Sequence, residues 1–228
     1  MQDNGSHDSD PKHRSARDFW PTVLADVRKR LEANGFAAYL ADDPAHARQI
    51  VMDYILPGVK PASLSWGDSL TLAATGILEE LRQDPELDVI TTFDPAVPRA
   101  EIIERRRRAL TVDLFLTGAN AVTRDGMLVN LDMVGNRTAA LAFGPRHVLV
   151  LAGRNKVVEN LAQAVHRIKH QAAPANAMRL GARTPCVKTG RCEDCSSPDR
   201  ICNTWAITAK CAPPGRISVV LINARMGI

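Results

Sequence analysis

TVDLFLTGANAVTRDGMLVNLDMVGNRTAALAFGPRHVLVLAGRNK, residues Thr111–Lys156, is the stretch whose reading decides the fold. Two apolar runs flank it, Val112–Leu116 (broken only by Asp113) and Val148–Leu151. Neither alternates apolar with polar residues, as expected of strands buried on both faces of a parallel sheet. Between them lie Gly118, Asn120, Asp125, Gly126, Asn130, Asp132, Gly135, Asn136 and Arg137. Turns need some Gly and Asn, but fewer than these. Open α/β sheets bind ligands beyond the carboxyl ends of their strands, where Thr117–Asn120 falls. Gly118, Asn120, Asp125, Asn130, Asn136, Arg137 and, after the second run, Lys156 are therefore candidate ligand residues. Arg137 has two readings, a forked donor for an anion or an ion pair with Asp113 or Asp132.

Outward from this centre, Ala62–Trp66 reads as a strand, followed by Gly67, Asp68 and Ser69 and a helix over 70–82. The three turn residues are a second candidate anion site, although Asp68 or Ser69 capping the helix explains them equally well. Helical spacing predicts further helices over 16–34 (stopped by Gly35), from Pro44 to a stop at Pro57-Gly58, over 99–110, and over 157–171 with Pro174 ending it. Phe36–Leu40, Leu87–Thr92 and Ile217–Ile222 read as strands. The pattern is an α/β domain over 16–228, a mostly parallel sheet with helices on both faces. Residues 1–15 are polar and turn-rich, a composition expected to stay disordered.

The net charge of +4 is too small to argue for nucleic acid. Arg105, Arg106, Arg107 and Arg108 supply much of it. Four neighbours on a helix point four ways, so at least three are expected to be solvated, with one reaching inward. His166 and His170 stand at i, i+4 without a third ligand and read as surface residues. No apolar run is long enough for membrane insertion. The N-terminus lacks the apolar core of a signal peptide, which points to a cytoplasmic location. No G-x-G-x-x-G follows a strand, so hydride chemistry by this chain has little support.

A turn-rich segment at about 184–212 carries Cys186, Cys192, Cys195 and Cys202 in the pattern C-x5-C-x2-C-x6-C, with Cys211 apart as a buried thiol. Thiolates two residues apart can clasp one metal, and flanking cysteines can complete a four-sulfur shell for an iron–sulfur cluster or, alternatively, zinc. Reduced cysteines with a reversible Cys192/Cys195 dithiol are the competing reading.

TGANAVTRDGMLVNLDMVGNRTAALAFGP with GRNKVV resembles the LUD-domain family, whose namesake is a lactate-utilisation protein, and the likeness extends less densely from about Leu31 onward. Gly118-Ala-Asn120-Ala-Val122 with Asp125-Gly126 and Asn130 is also similar to the GAD…G…NK pattern of sugar-phosphate isomerases and initiation-factor 2B-type proteins. The resemblance implies the NagB/RpiA/CoA-transferase-like fold. It also implies a role in lactate or organic-acid utilisation, as an accessory or ligand-binding subunit beside iron–sulfur oxidoreductase partners. The ligand would be a small anion: a carboxylate, phosphate or thioester. The isomerases' catalytic Asp falls at Asn120, and an amide is neither a general acid nor a base. The alternatives are an independent enzyme acting on a sugar phosphate or acyl-CoA, and a cysteine-based metal or redox sensor. TPC…TGRCEDCSSPDRICN resembles a subset of LUD-domain proteins, without naming what the cysteines hold.

Overall fold

A computed structural model describes residues 11–228, with side chains from Asp18 onward. In chain order the elements begin α1 (Pro11–Ala33), β1 (Ala37–Ala41), α2 (Pro44–Ile50), α3 (Leu56–Val59) and β2 (Ser63–Trp66). Then come α4 (Leu70–Ala73), α5 (Ile77–Leu81), β3 (Asp88–Val89), α6 (Arg99–Arg108), β4 (Leu114–Gly118), β5 (Ala121–Thr123) and β6 (Leu128–Asp132). The chain continues through α7 (Asn136–Ala142), β7 (His147–Gly153), β8 (Val157–Val158), α8 (Leu161–Arg167), α9 (Ala173–Arg179), α10 (Cys186–Thr189), β9 (Thr204–Thr208) and β10 (Ile217–Ile222). Of the tail expected to be disordered, residues 1–10 lie outside the described residues and α1 begins at Pro11.

Six strands form one parallel sheet in the order β1-β10-β7-β4-β2-β3. The absence of alternation now has its cause: successive side chains enter two different cores. Phe115, Val148, Val150, Val219 and Leu221 pack with Val23, Leu24, Val27 and Leu31 of α1. Leu114, Leu116, Leu149, Leu151, Val220 and Ile222 pack on the other face with Ala47, Ile50, Ile77 and Leu81 of α2 and α5. A strand covered on both faces has no side to leave polar.

The segment 118–137, expected to be a binding loop, is largely a second sheet. β5 and β6 form an antiparallel hairpin, β8 joins parallel to β5 and β9 antiparallel to β6, giving the order β8-β5-β6-β9. Ala121, Val129 and Leu131 bury beneath it against Ala164 and Ile168. Strands this short carry too few residues to reveal their period.

Two prolines do not end helices as expected. Residues Val51–Ile55 and Ile168–Ala172 are π turns, each leading into a further helical segment with Pro57 or Pro174 in its first turn. The wider turn lets the helix run past a residue that has no N–H to donate. The helix expected over 157–171 instead starts at Leu161, where the Asn160 side chain accepts the Gln163 N–H at 3.0 Å. The helix expected over 70–82 breaks at Gly76, which adopts φ +69°.

The hairpin turn is docked on α1. Asn34 Nδ2 donates to the Asp125 and Gly126 carbonyls at 2.9 and 3.1 Å. Gly126 has φ +83°, and a Cβ there would stand 2.8 Å from the Arg30 carbonyl carbon and the Leu31 nitrogen. Gly181, at φ +62°, has open space around it. Gly181→Ala should therefore cost about 1 kcal/mol, the left-handed backbone term alone. Gly126→Ala should cost about 2 kcal/mol or more, because backbone must also move. Urea unfolding midpoints check the difference, and equal losses would mean that the turn is not held against α1.

Candidate functional site

All six strands of the large sheet run parallel, so their carboxyl ends share one edge. There the segments after β2, β4 and β7 enclose a cleft of about 290 Å³ with the start of α7, α6 and α9. Asp68, Ser69, Gly118, Asn120, Asn136, Arg137 and Lys156 line it together. Gly67 does not line the cleft but makes room for it, since a Cβ there would overlap the Arg137 stem. Gly118 likewise admits Ser69, whose Oγ would lie 2.6 Å from an added Cβ.

Asp125 and Asn130 are placed elsewhere. Asp125 sits in the hairpin turn, exposed, and accepts a hydrogen bond from Thr123 Oγ1. Asn130 is buried under the cleft floor, where its Nδ2 donates to the Gly118 carbonyl at 3.0 Å. Asn120 Oδ1 accepts the Leu131 N–H at 2.9 Å, so its amide braces the hairpin. Ser69 caps α4 by accepting the Leu72 N–H at 3.2 Å. Asp113 belongs to the opposite edge, where Ser63 Oγ donates to it at 2.9 Å; that bond leads in holding its carboxyl below the usual range.

The electrostatics follow from which charges are already matched. Asp132, 3% exposed, accepts Arg137 Nε at 2.6 Å and the backbone N–H groups of Arg137 and Thr138 at 2.8 and 3.0 Å. Arg137 is thus the partner of Asp132, the structural reading of that residue. Asp68 pairs with Arg179. Two cations remain. Arg106 lines the cleft beside Phe93, its guanidinium 5.7 Å from the ring centroid, and its Nε is buried without a hydrogen-bond partner. Lys156, 5% exposed, donates from Nζ to Thr71 Oγ1 at 2.8 Å. Burial lowers its pKa to about 7, with the charges of Arg167 and Arg137 acting the same way.

Arg106 is the arginine of its run that lines the cleft. Arg105, also half-buried, pairs with Glu101 and donates to the Thr91 carbonyl at 3.4 Å, while Arg107 pairs with Glu104 on the solvated side. A run of four arginines does not say which faces the sheet. A helix ended at Pro174 would leave Arg179 out of reach, although the apolar spacing through Ala172 and Ala177 continues past it. Arg167, whose Nη1 donates to the Asn120 carbonyl at 2.6 Å, reads in the sequence as an ordinary helix charge.

A second, smaller cavity is lined by Cys186, Cys192, Cys195 and Cys202 together, with Lys169 and Arg200 at its rim and Ala173, Pro174 and Ala177 on its floor. All four are free thiols. Burial raises the Cys202 thiol above its ordinary pKa, the nearby Arg200 opposing this. Among the described residues, no three His, Cys, Asp or Glu side chains are grouped so as to hold one metal ion. The sulfurs therefore do not stand a few ångströms apart as a zinc shell requires. Cys211 is buried in the core under α1, as expected. His166 and His170 are exposed and stack with ring centroids 4.7 Å apart. Among the described residues, no helix is long and apolar enough to cross a membrane.

The LUD domain family model matches residues 24–222. Among solved structures, a DUF162 family protein from Deinococcus radiodurans superposes with a TM-score of 0.50 at 15% identity, over 89% of this chain and 97% of that one. At that identity the likeness establishes the fold. No curated protein matches the chain.

Lys156 gives the site a pH signature. Its folded pKa, about 7, lies below the roughly 10.4 of an unfolded lysine. Between those values the unfolded chain binds the extra proton, so this group makes stability rise with pH across that window. Lys156→Met should consequently help most at and below about pH 7, its advantage over wild type shrinking by a few kcal/mol toward about pH 10. Urea unfolding of both proteins across that range checks it; a constant difference would mean that Lys156 titrates like a solvated lysine.

Proposed function

The chain belongs to the LUD domain family, and from that premise we propose that it binds a small carboxylate or phosphate in the strand-end cleft and serves lactate or related organic-acid utilisation as a ligand-binding subunit beside oxidoreductase partners. The observation that carries this reading is the pair of buried cations, Arg106 with its unpartnered Nε and Lys156, in a cleft whose two aspartates are already held by Arg137 and Arg179. A buried donor without a partner costs about 1–3 kcal/mol, which an anion would recover. The cleft's roughly 290 Å³ lies at the lower end of small-molecule sites, about 300–1,000 Å³. That size suits a hydroxy or oxo acid better than a dinucleotide.

The pairing of Asp68 and Asp132 with arginines favours binding over proton abstraction, since either carboxylate would have to leave its partner to act as a base. With Asn120 where related isomerases carry Asp, an isomerase reading has little to stand on. For the cysteine segment we favour an iron–sulfur cofactor over zinc. What supports a shared cofactor is that the four thiols line one cavity; among the described residues no three of them are grouped so as to hold one metal ion.

Arg106→Gln should weaken binding of L-lactate, pyruvate or inorganic phosphate, whichever binds, by about 10- to 100-fold, the worth of one charged hydrogen bond. Arg107→Gln, on the solvated face, should change it less than about threefold. Affinity should also fall as pH rises through about 7, where Lys156 loses its proton. Isothermal titration calorimetry measures all three effects. Equal losses from the two arginines would remove the cleft as the binding site.

A further inference from the structure

Lys156 carries an amine, and the binding reading uses only its charge. The residue ends the short 3-10 turn Arg154–Lys156 after β7, is buried, and lines the same cleft of about 290 Å³ as Arg106. Its tip is held in one place. Nζ donates to Thr71 Oγ1 at 2.8 Å, and that hydroxyl donates onward to the Met226 carbonyl at 3.3 Å. Gly227 closes over both, since a Cβ there would stand 2.7 Å from Thr71 Oγ1 and 3.5 Å from Nζ. The partner of this lysine is therefore a hydroxyl, whereas a lysine kept as a buried ammonium ion is paired with a carboxylate.

The surroundings of Nζ all act in one direction. Burial favours the neutral amine most strongly, and Arg167 of α8 and Arg137 at the start of α7 add to it. Asp132 of β6 is held by Arg137, and Asp68 by Arg179. An amine desolvated beside cations is the form in which lysine attacks a carbonyl carbon. Arg106, by contrast, keeps its charge, because a guanidinium is not deprotonated inside proteins. The cleft thus joins a permanent cation to a nucleophilic amine. A hydroxy acid makes use of the cation alone. A 2-oxo acid brings a carboxylate for the arginine and, one bond away, an electrophilic carbon for the lysine.

We propose that Lys156 captures 2-oxo acids covalently, forming an imine with the keto carbon while Arg106 holds the adjoining carboxylate. This rests on the anion-binding reading of the cleft and adds the bond. The Nζ lone pair attacks the keto carbon, and the keto oxygen leaves as water with the two hydrogens of the amine. No electrons are gained or lost, and no co-reactant is consumed. Water reverses the step, so the acid is held and released rather than transformed. Thr71 acts as a positioning residue, fixing the amine through its hydroxyl.

The test incubates the full chain with pyruvate, quenches samples over time with sodium borohydride to reduce the imine, and reads intact mass. Trapped pyruvate should add about 72 Da, and peptide mapping should place it on Lys156. The same treatment with L-lactate should add nothing. Capture at saturating pyruvate should speed up about tenfold from about pH 6 to pH 8, as Nζ loses its proton through about 7. That is the opposite sense to L-lactate affinity, which falls over the same range. Lys156→Met should form no adduct, and Arg106→Gln should slow capture about 10- to 100-fold at low pyruvate. Mapping of the wild-type adduct keeps the test independent of how either variant folds. An adduct spread equally over the exposed Lys29, Lys60, Lys188 and Lys210 would overturn the proposal. Pyruvate and L-lactate that bind by calorimetry without any adduct on Lys156 would overturn the covalent step and leave the cleft reading standing. Neither binding nor adduct would overturn both.

Discussion

Asp132 ends β6 almost out of contact with water, and the carboxyl edge of the molecule is arranged around its charge. A carboxylate so placed is tolerable only if its oxygens are fully met. Two backbone N–H groups at the start of α7 and the Arg137 guanidinium meet them. That one set of bonds fixes where α7 begins and how the hairpin meets the main sheet. Through the Asp132 carbonyl and Asn203, it also anchors the cysteine segment. It commits Arg137 too. An arginine neutralised by its own neighbour shapes a cleft without making it attractive to anions, and the attraction passes to Arg106 and Lys156.

What the sequence disclosed and concealed divides along physical lines. The four inner strands of the large sheet, β10, β7, β4 and β2, were legible because burial on both faces erases alternation; the edge strands β1 and β3 are only partly buried, and β3 keeps two residues of the run read over Leu87–Thr92. β5 and β6 were not, since Gly118, Asn120, Gly126 and Asn130 look the same in a binding loop as in a tight hairpin under a cleft. The rule about strand ends still placed Asp68, Ser69, Gly118, Asn120, Arg137 and Lys156 around one space. It could not sort ligand contacts from braces, because that depends on partners distant in sequence, such as Leu131 for Asn120. Periodicity was equally silent about Pro174. Only the π turn ahead of it lets α9 carry Arg179 to the cleft.

The π turn has a second consequence. By extending the helix past Pro174, it brings Ala173 and Ala177 under the cysteine cavity while Asn176 and Arg179 reach the anion cleft. One helix thus presents a small apolar surface to the thiols and a polar surface to the ligand. A helix stopped at Pro174 would leave the cysteine cavity without Ala177.

Ion pairs and carbonyl clamps hold the cysteine segment, Arg183 with Asp199 and Arg200 with Asp194, Cys195 and Cys202. These bonds are exposed or half-exposed, and exposed ion pairs contribute little each. They can preset the positions of the four cysteines but not hold them firmly. β9, which follows Cys202 and pairs along the whole of β6, fixes the other end of the loop to the element bearing Asp132. The segment is therefore tied to the small sheet just after Cys202, through Asn203 and Asp132, and Arg200 holds the Cys195 carbonyl.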